Sequence, residues 1–151
     1  MNDVDILKKI EKKVLWLACW MIHNANHIRE NQDGLKVGGH QASSASIVSI
    51  MTALYFNILR PEDRVAVKPH ASPVFHAIQY LLGNQTLNSL KNFRKINGAQ
   101  AYPSNTKDNC NVDFSTGSVG LGGAMKIFSS FVQDFLVCNN YLKKNNESKM
   151  I

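Results

Sequence analysis

Cysteine and proline are scarce in this chain, 3 and 4 among 151 residues, and that scarcity sets the first bounds. Cys19, Cys110 and Cys138 are odd in number and far apart, with no Cys-x-x-Cys pair, so neither a disulfide framework nor a zinc site is expected. A reducing, cytoplasmic setting fits that usage best. No apolar run approaches the ~20 residues of a bilayer span, and Asn2-Asp3-Val4-Asp5 is acidic where a secretory leader is basic. Membrane insertion and targeting are therefore not expected. Gly-x-Ser-x-Gly, His-Glu-x-x-His and Gly-Lys-Ser/Thr are missing, which removes common hydrolase, zinc-protease and P-loop templates.

What is present is a globular composition, 44% hydrophobic and 19% charged, long enough to bury a core without staples. Basic residues outnumber acidic ones 17 to 11, for a net charge of +6, which could draw a polyanion. The placement argues against nucleic acid as a partner. Lys8, Lys9, Lys12 and Lys13 share the first helical pattern, Lys143, Lys144 and Lys149 sit near the other end, and no basic stripe is interleaved with aromatics.

Ile6, Ile10, Val14, Leu17, Met21, Ala25 and Ile28 recur every three or four residues and predict one long amphipathic helix. A break at Asn31–Gly34 and the pair Gly38-Gly39 lead to Ser43-Ser44-Ala45-Ser46, a helix start. From Ile47 to Leu59 the pattern is apolar all round and predicts a buried helix. Arg64–Lys68 reads as a short strand stopped by Pro69, Val74–Leu82 as a helix closed by Gly83, and Thr86 as the cap of a helix over Leu87–Arg94. Gly98–Asn111 has no periodicity, and loops of that length in a compact domain are usually functional or mobile. Val112–Ser115 reads as a second strand, followed by a glycine cluster, Gly117–Gly123, and a helix with Ile127, Phe128, Phe131, Val132 and Phe135 facing inward. Helices flanking short apolar strands favour an α/β fold whose ligands bind where strands end and helices begin.

A glycine loop feeding a helix start presents free N–H groups and the positive end of the helix dipole to an anion. Gly-x-x-Gly-x-Gly-Gly is not the dinucleotide order, and tight helix packing explains the glycines equally well. Among the five histidines, His23 and His27 lie one turn apart without a third ligand, and His76 falls inside a helix. His40 and His70 stand at turns, where an imidazole can donate to a phosphate, move a proton near neutral pH, or simply pack.

Three ordered segments carry a resemblance. Gly38-Gly39-His40-Gln41-Ala42-Ser43-Ser44-Ala45-Ser46, then Lys68-Pro69-His70-Ala71-Ser72-Pro73, then Val112–Gly122 resemble the thiamine-diphosphate enzymes of the transketolase superfamily. The nearest members are the homodimeric pyruvate dehydrogenase decarboxylating component and its transketolase-like relatives. True transketolases commonly carry Gly-His-Pro-Gly and Gly-Pro-Leu-Gly where Gly39-His40-Gln41-Ala42 and Gly117-Ser118-Val119-Gly120 stand here. The likeness runs from about Val14 to about Leu136.

That resemblance implies a thiamine-diphosphate-binding fold: part of a doubly wound parallel sheet flanked by helices, truncated, with a long N-terminal helix. It divides the chain into a helix and linker, 1–37, and the first portion of the binding domain, 38–151. It implies cofactor chemistry on the carbonyl of a 2-oxo acid or ketose, with His40 and His70 as catalytic residues facing the thiazolium, diphosphate and substrate. Ser43, His70, Gly117, Ser118 and Val119 would contact the cofactor. The family then continues into a Gly-Asp segment and a later Asn that hold magnesium, and into a domain whose glutamate activates the pyrimidine; the sequence stops before these, so no metal ligand is expected in it. The chain is thus expected to be the first part of a larger, homodimeric enzyme that needs the remainder or a complementary chain and is inactive alone. The alternative is a non-catalytic remnant or split subunit acting as an interaction module.

Overall fold

The computed structural model describes residues 3–31, 34–117, 119–142 and 148–151. Lys143, Lys144 and Ser118, singled out above, lie outside the described residues. Helix α1, Asp3–His23, continues through a π-helical turn, Asn24–Ile28, and covers the periodic apolar stretch. Its buried side chains, Val14, Leu17, Ala18, Met21 and Ile22, are spaced three or four apart and so form a single stripe. Helix α2, Gln41–Ala53, also ends in a π-helical turn, Leu54–Ile58. A 3₁₀ turn, Pro69–Ala71, runs directly into α3, Ser72–Leu81, followed by the short α4, Leu87–Lys91, and by α5, Leu121–Cys138. The core sits where α1, α2 and α3 pack on one another. Helix α3 is its centre, buried at every position from Ser72 to Gln79.

The expected parallel sheet is not formed among the described residues, and the fold shown is helical. Arg64–Lys68 is extended and buries Val65 and Val67, yet its pairing amounts to one isolated parallel bridge between Arg64 and Met150. Arg64 N donates to Lys149 O at 2.9 Å, and Ala66 N to Ile151 O at 2.8 Å. On the other side, side chains occupy the positions a neighbouring backbone would fill. Asp113 Oδ2 accepts from Val65 N at 2.9 Å, and Thr116 Oγ1 donates to Val67 O at 2.6 Å. Asp113, within the expected second strand Val112–Ser115, and Thr116, just beyond it, therefore satisfy the first segment through side chains without a second strand forming.

Two helices also differ from expectation. Helix α2 buries one stripe, Ser44, Val48, Met51 and Thr52, and leaves Ile50 exposed. Helix α5 buries nothing: Ile127, Phe128, Phe131, Val132 and Phe135 are each 57% to 68% exposed. A helical pattern marks the apolar face but not what covers it, and little among the described residues reaches this one. By length and composition alone α5 is also long enough and apolar enough to cross a bilayer, which corrects the statement that no such run exists.

Thr86 caps α4 as its sequence position predicts, Oγ1 accepting from Ser89 N at 3.1 Å. Removing this acceptor leaves one helix-start N–H unpaired. Thr86→Ala is expected to cost about 1 kcal/mol, read as a lower urea midpoint at unchanged slope.

Candidate functional site

His40 and His70 reach the same place from different elements. Gly38 and Gly39 have φ of +81° and +124°, a left-handed turn that swings His40 to the position just before α2. Gly39 is also held close: a Cβ there would press on Ile22 at 3.1 Å. His70 is placed by the Pro69–Ala71 turn, closed by Ala71 N donating to Lys68 O at 2.8 Å. The two imidazoles stack with ring centroids 5.2 Å apart and planes 14° from parallel.

Ser44, fully buried in the first turn of α2, joins the two supports. Its backbone N donates to His40 O at 3.0 Å and its hydroxyl to His70 O at 3.4 Å. Ser43, the residue expected to contact the cofactor beside His40, is half-buried and accepts from Ser46 Oγ at 2.8 Å through its carbonyl. Adjacent helical positions face about 100° apart, so a run of serines does not reveal which one points inward.

His70 Nδ1 is buried and has no hydrogen-bond partner among the described residues. Such a group costs free energy unless something pairs with it. The rings open onto a cleft of about 70 Å³ that Gly39, Pro73, Arg94 and Tyr102 also line. Arg94 and Tyr102 continue into a larger depression of about 640 Å³, bounded by Pro103, Ser115, Gly117 and Leu121. The histidine pair and Gly117 thus line adjoining spaces that share two residues. Val119 is 90% exposed and lines neither. A third depression, of about 180 Å³, lies at the start of α5 between Lys68, Lys126 and the glycines 117, 120, 122 and 123.

Arg94 was not found from sequence. It lies three residues beyond α4 in a left-handed conformation, φ +65°, although the expected helix Leu87–Arg94 included it. Its guanidinium lies 5.6 Å from the centre of the Phe93 ring, and Nη1 donates to Val37 O. Arg29, from the end of α1, donates to Phe93 O at 2.8 Å and Asn24 to Lys91 O at 2.9 Å, which ties the end of α4 to α1.

Behind the cleft lies a second cluster. His76 is fully buried, with Nε2 donating to Gln100 O at 2.8 Å and Nδ1 accepting from Gln85 Nε2 at 3.3 Å. Burial pushes its pKa below the ordinary value, against the opposing pull of the Asp108 charge and the Gln100 carbonyl. Cys110 approaches the same amide at 3.7 Å, and burial, aided by Asp108, pushes its thiol up to about 12. Donor atoms of His76, Asp108 and Cys110 lie within 4.8 Å of one another, but both ring nitrogens are already hydrogen-bonded. Asp108 orders the loop Gly98–Asn111 by accepting from Gln100 N at 3.0 Å and Ser104 N at 2.8 Å.

No family model matches the chain. It is 30% identical over 144 residues to the pyruvate dehydrogenase E1 component of Cupriavidus necator, an alignment spanning 89% of this chain and 15% of that protein. The protein of the same name from Mycobacterium tuberculosis is 27% identical over 146 residues, with the same two coverages, 89% and 15%. Transketolase-like protein 2 of Mus musculus is 36% identical over 95 residues, 56% of this chain and 15% of that one. The chain therefore spans about 15% of the length of the curated relatives it matches.

Proposed function

We propose, since this chain is related to the thiamine-diphosphate-dependent transketolase family, that its His40–His70 cleft is one wall of a cofactor site in a pyruvate dehydrogenase E1-like or transketolase-like enzyme. The observation that carries this is the pair of stacked imidazoles with an unpaired, buried His70 Nδ1, next to the depression that Gly117 lines. These groups suit the organic part of thiamine diphosphate: a polar atom awaiting a partner, flat rings, and a glycine with no side chain to block approach. Bound there, the cofactor would supply a carbon nucleophile for the carbonyl of a 2-oxo acid or ketose. The chain's own part is to orient that carbonyl and donate hydrogen bonds to its oxygen as charge develops, His40 and His70 being the donors.

Magnesium does not fit the described residues. It takes an octahedron of oxygen ligands, whereas the one mixed cluster present offers an imidazole, a thiol held in its protonated form and a single carboxylate. The metal ligands and the second wall of the site would come from the remaining portion of a relative-like enzyme, on the same or a complementary chain.

The test is reconstitution. Alone, with thiamine diphosphate and magnesium, the chain is expected to show no calorimetric binding tighter than millimolar. Joined to the part of a relative that lies beyond the matched region, it is expected to support cofactor-dependent decarboxylation of pyruvate, lost at least about a hundredfold when His40 and His70 are both replaced by alanine. Micromolar affinity of the isolated chain would refute the incompleteness, and full activity without the two imidazoles would refute the site.

A second reading, a non-catalytic interaction module, is favoured by α5, whose apolar face is open along its whole length. Loss of detergent-free self-association on Phe128→Lys with Phe131→Lys, without any reconstituted activity in the unaltered chain, would select it.

A further inference from the structure

Four side chains converge behind the cleft from three parts of the chain: His76 from the middle of α3, Gln85 from the turn before α4, and Asp108 and Cys110 from the loop Gly98–Asn111. The side chains of His76 and Asp108 are fully buried, and Cys110 is 6% exposed. With Nε2 donating to Gln100 O at 2.8 Å, the imidazole is held in one orientation and Nδ1 keeps its lone pair. A ring N–H tied to a backbone carbonyl is the usual support for a histidine that ligates a metal through its other nitrogen. The present partner of that lone pair is the Gln85 amide, at a long 3.3 Å, and the same Nε2 reaches Cys110 Sγ at 3.7 Å. One N–H group thus bridges an imidazole nitrogen and a sulfur, the place a cation would take.

Asp108 accepts one backbone N–H on each carboxylate oxygen, from Gln100 and Ser104, and each oxygen retains a second lone pair. Donor atoms of His76, Asp108 and Cys110 lie within 4.8 Å of one another. Ligand atoms around a tetrahedral zinc ion sit about 3.3–3.8 Å apart, so the three need to close by at most about 1.5 Å. Turning the Gln85 amide over would present Oε1 as a fourth donor, at the expense of its 3.3 Å bond from Thr86 N. A set of one nitrogen, one sulfur and two oxygens suits a borderline-soft divalent ion and not a hard one. We propose that His76, Asp108 and Cys110, completed by Gln85, form a closed structural site for a zinc-like divalent cation. On binding, the Cys110 thiol gives its proton to solvent and ligates as thiolate. Carboxylate and thiolate together then balance the two positive charges inside the core. The ion would fasten to α3 the loop whose Tyr102, Pro103 and Lys107 wall the depression beside Gly117. None of this depends on the reading of His40 and His70.

The full chain, stripped with a chelator and titrated with cobalt(II), tests the site. One ion is expected to bind with a thiolate-to-cobalt charge-transfer band and the intense visible bands of a four-coordinate centre, all abolished by added zinc. Competition should give a zinc Kd of about micromolar or tighter, with one proton released per ion. Cys110→Ser is expected to remove the charge-transfer band and weaken zinc at least about tenfold. Cys19→Ser with Cys138→Ser, and His23→Ala with His27→Ala, are expected to leave both readouts unchanged. The titration of the unaltered chain needs no variant and stands even where C110S loosens the fold. Absence of the charge-transfer band there, its persistence in C110S, or its loss when Cys19 and Cys138 are replaced would overturn the site.

Discussion

Gly98→Ala is expected to lower stability by about 3 kcal/mol, enough to remove a large part of the 5–15 kcal/mol typical of a domain. A methyl group on Gly98 would lie 1.8 Å from the carbonyl oxygen of Asn92 and 2.5 Å from its carbon. Both are backbone atoms that no rotamer change can move aside. The turn would have to open, breaking Gly98 N to Lys95 O at 3.0 Å and straining Arg94 N to Ala99 O at 2.9 Å. Urea unfolding followed by far-ultraviolet dichroism checks the loss. A change under about 0.5 kcal/mol, the scale of an ordinary surface substitution, would show that this turn is not the constraint described.

His76→Ala is expected to cost about 3–5 kcal/mol. The substitution empties a fully buried volume between Phe75 and Phe93, strands the Gln100 carbonyl and leaves the Gln85 amide with its longer 3.7 Å contact to Cys110 Sγ. His76→Phe, which fills the space without the bonds, is expected to recover part of that loss. A pH signature accompanies it. The folded state holds this imidazole neutral, with a pKa below the ordinary 6.5, so below that pH the unfolded chain binds a proton that the folded chain does not. Stability should therefore fall as the solution is acidified from about 6.5, with a slope of up to about 1.4 kcal/mol per pH unit from this one group. The slope should shrink in His76→Phe. An unchanged slope there would assign the acid sensitivity to another residue.

How much was readable beforehand varies with the range of the physics involved. The three ordered segments around His40, His70 and Gly117 sufficed to place the chain in its family, because each is a local pattern of turn glycines and small residues. Thr86 was readable for the same reason: a cap and its N–H lie three residues apart. The sheet was misread because alternation within Arg64–Lys68 says that a segment can be extended, not that a second backbone lies beside it. Here Asp113 and Thr116 side chains take those bonds. The inward face of α5 was misread similarly, since its helical pattern is as expected but no described element packs over that face. Arg94 left no local trace. Its left-handed backbone and its seat against Val37 come from contacts up to 57 positions away.

The hydroxyl of Ser44 spans 26 positions of chain to reach the His70 carbonyl while its own amide holds that of His40. The spacing of the two rings is therefore inherited from the register between two packed helices, not from the flexibility of either approach. Any rigid-body displacement of that helical pair would deliver both imidazoles to a new neighbour as a preassembled set, with their mutual geometry carried along unchanged.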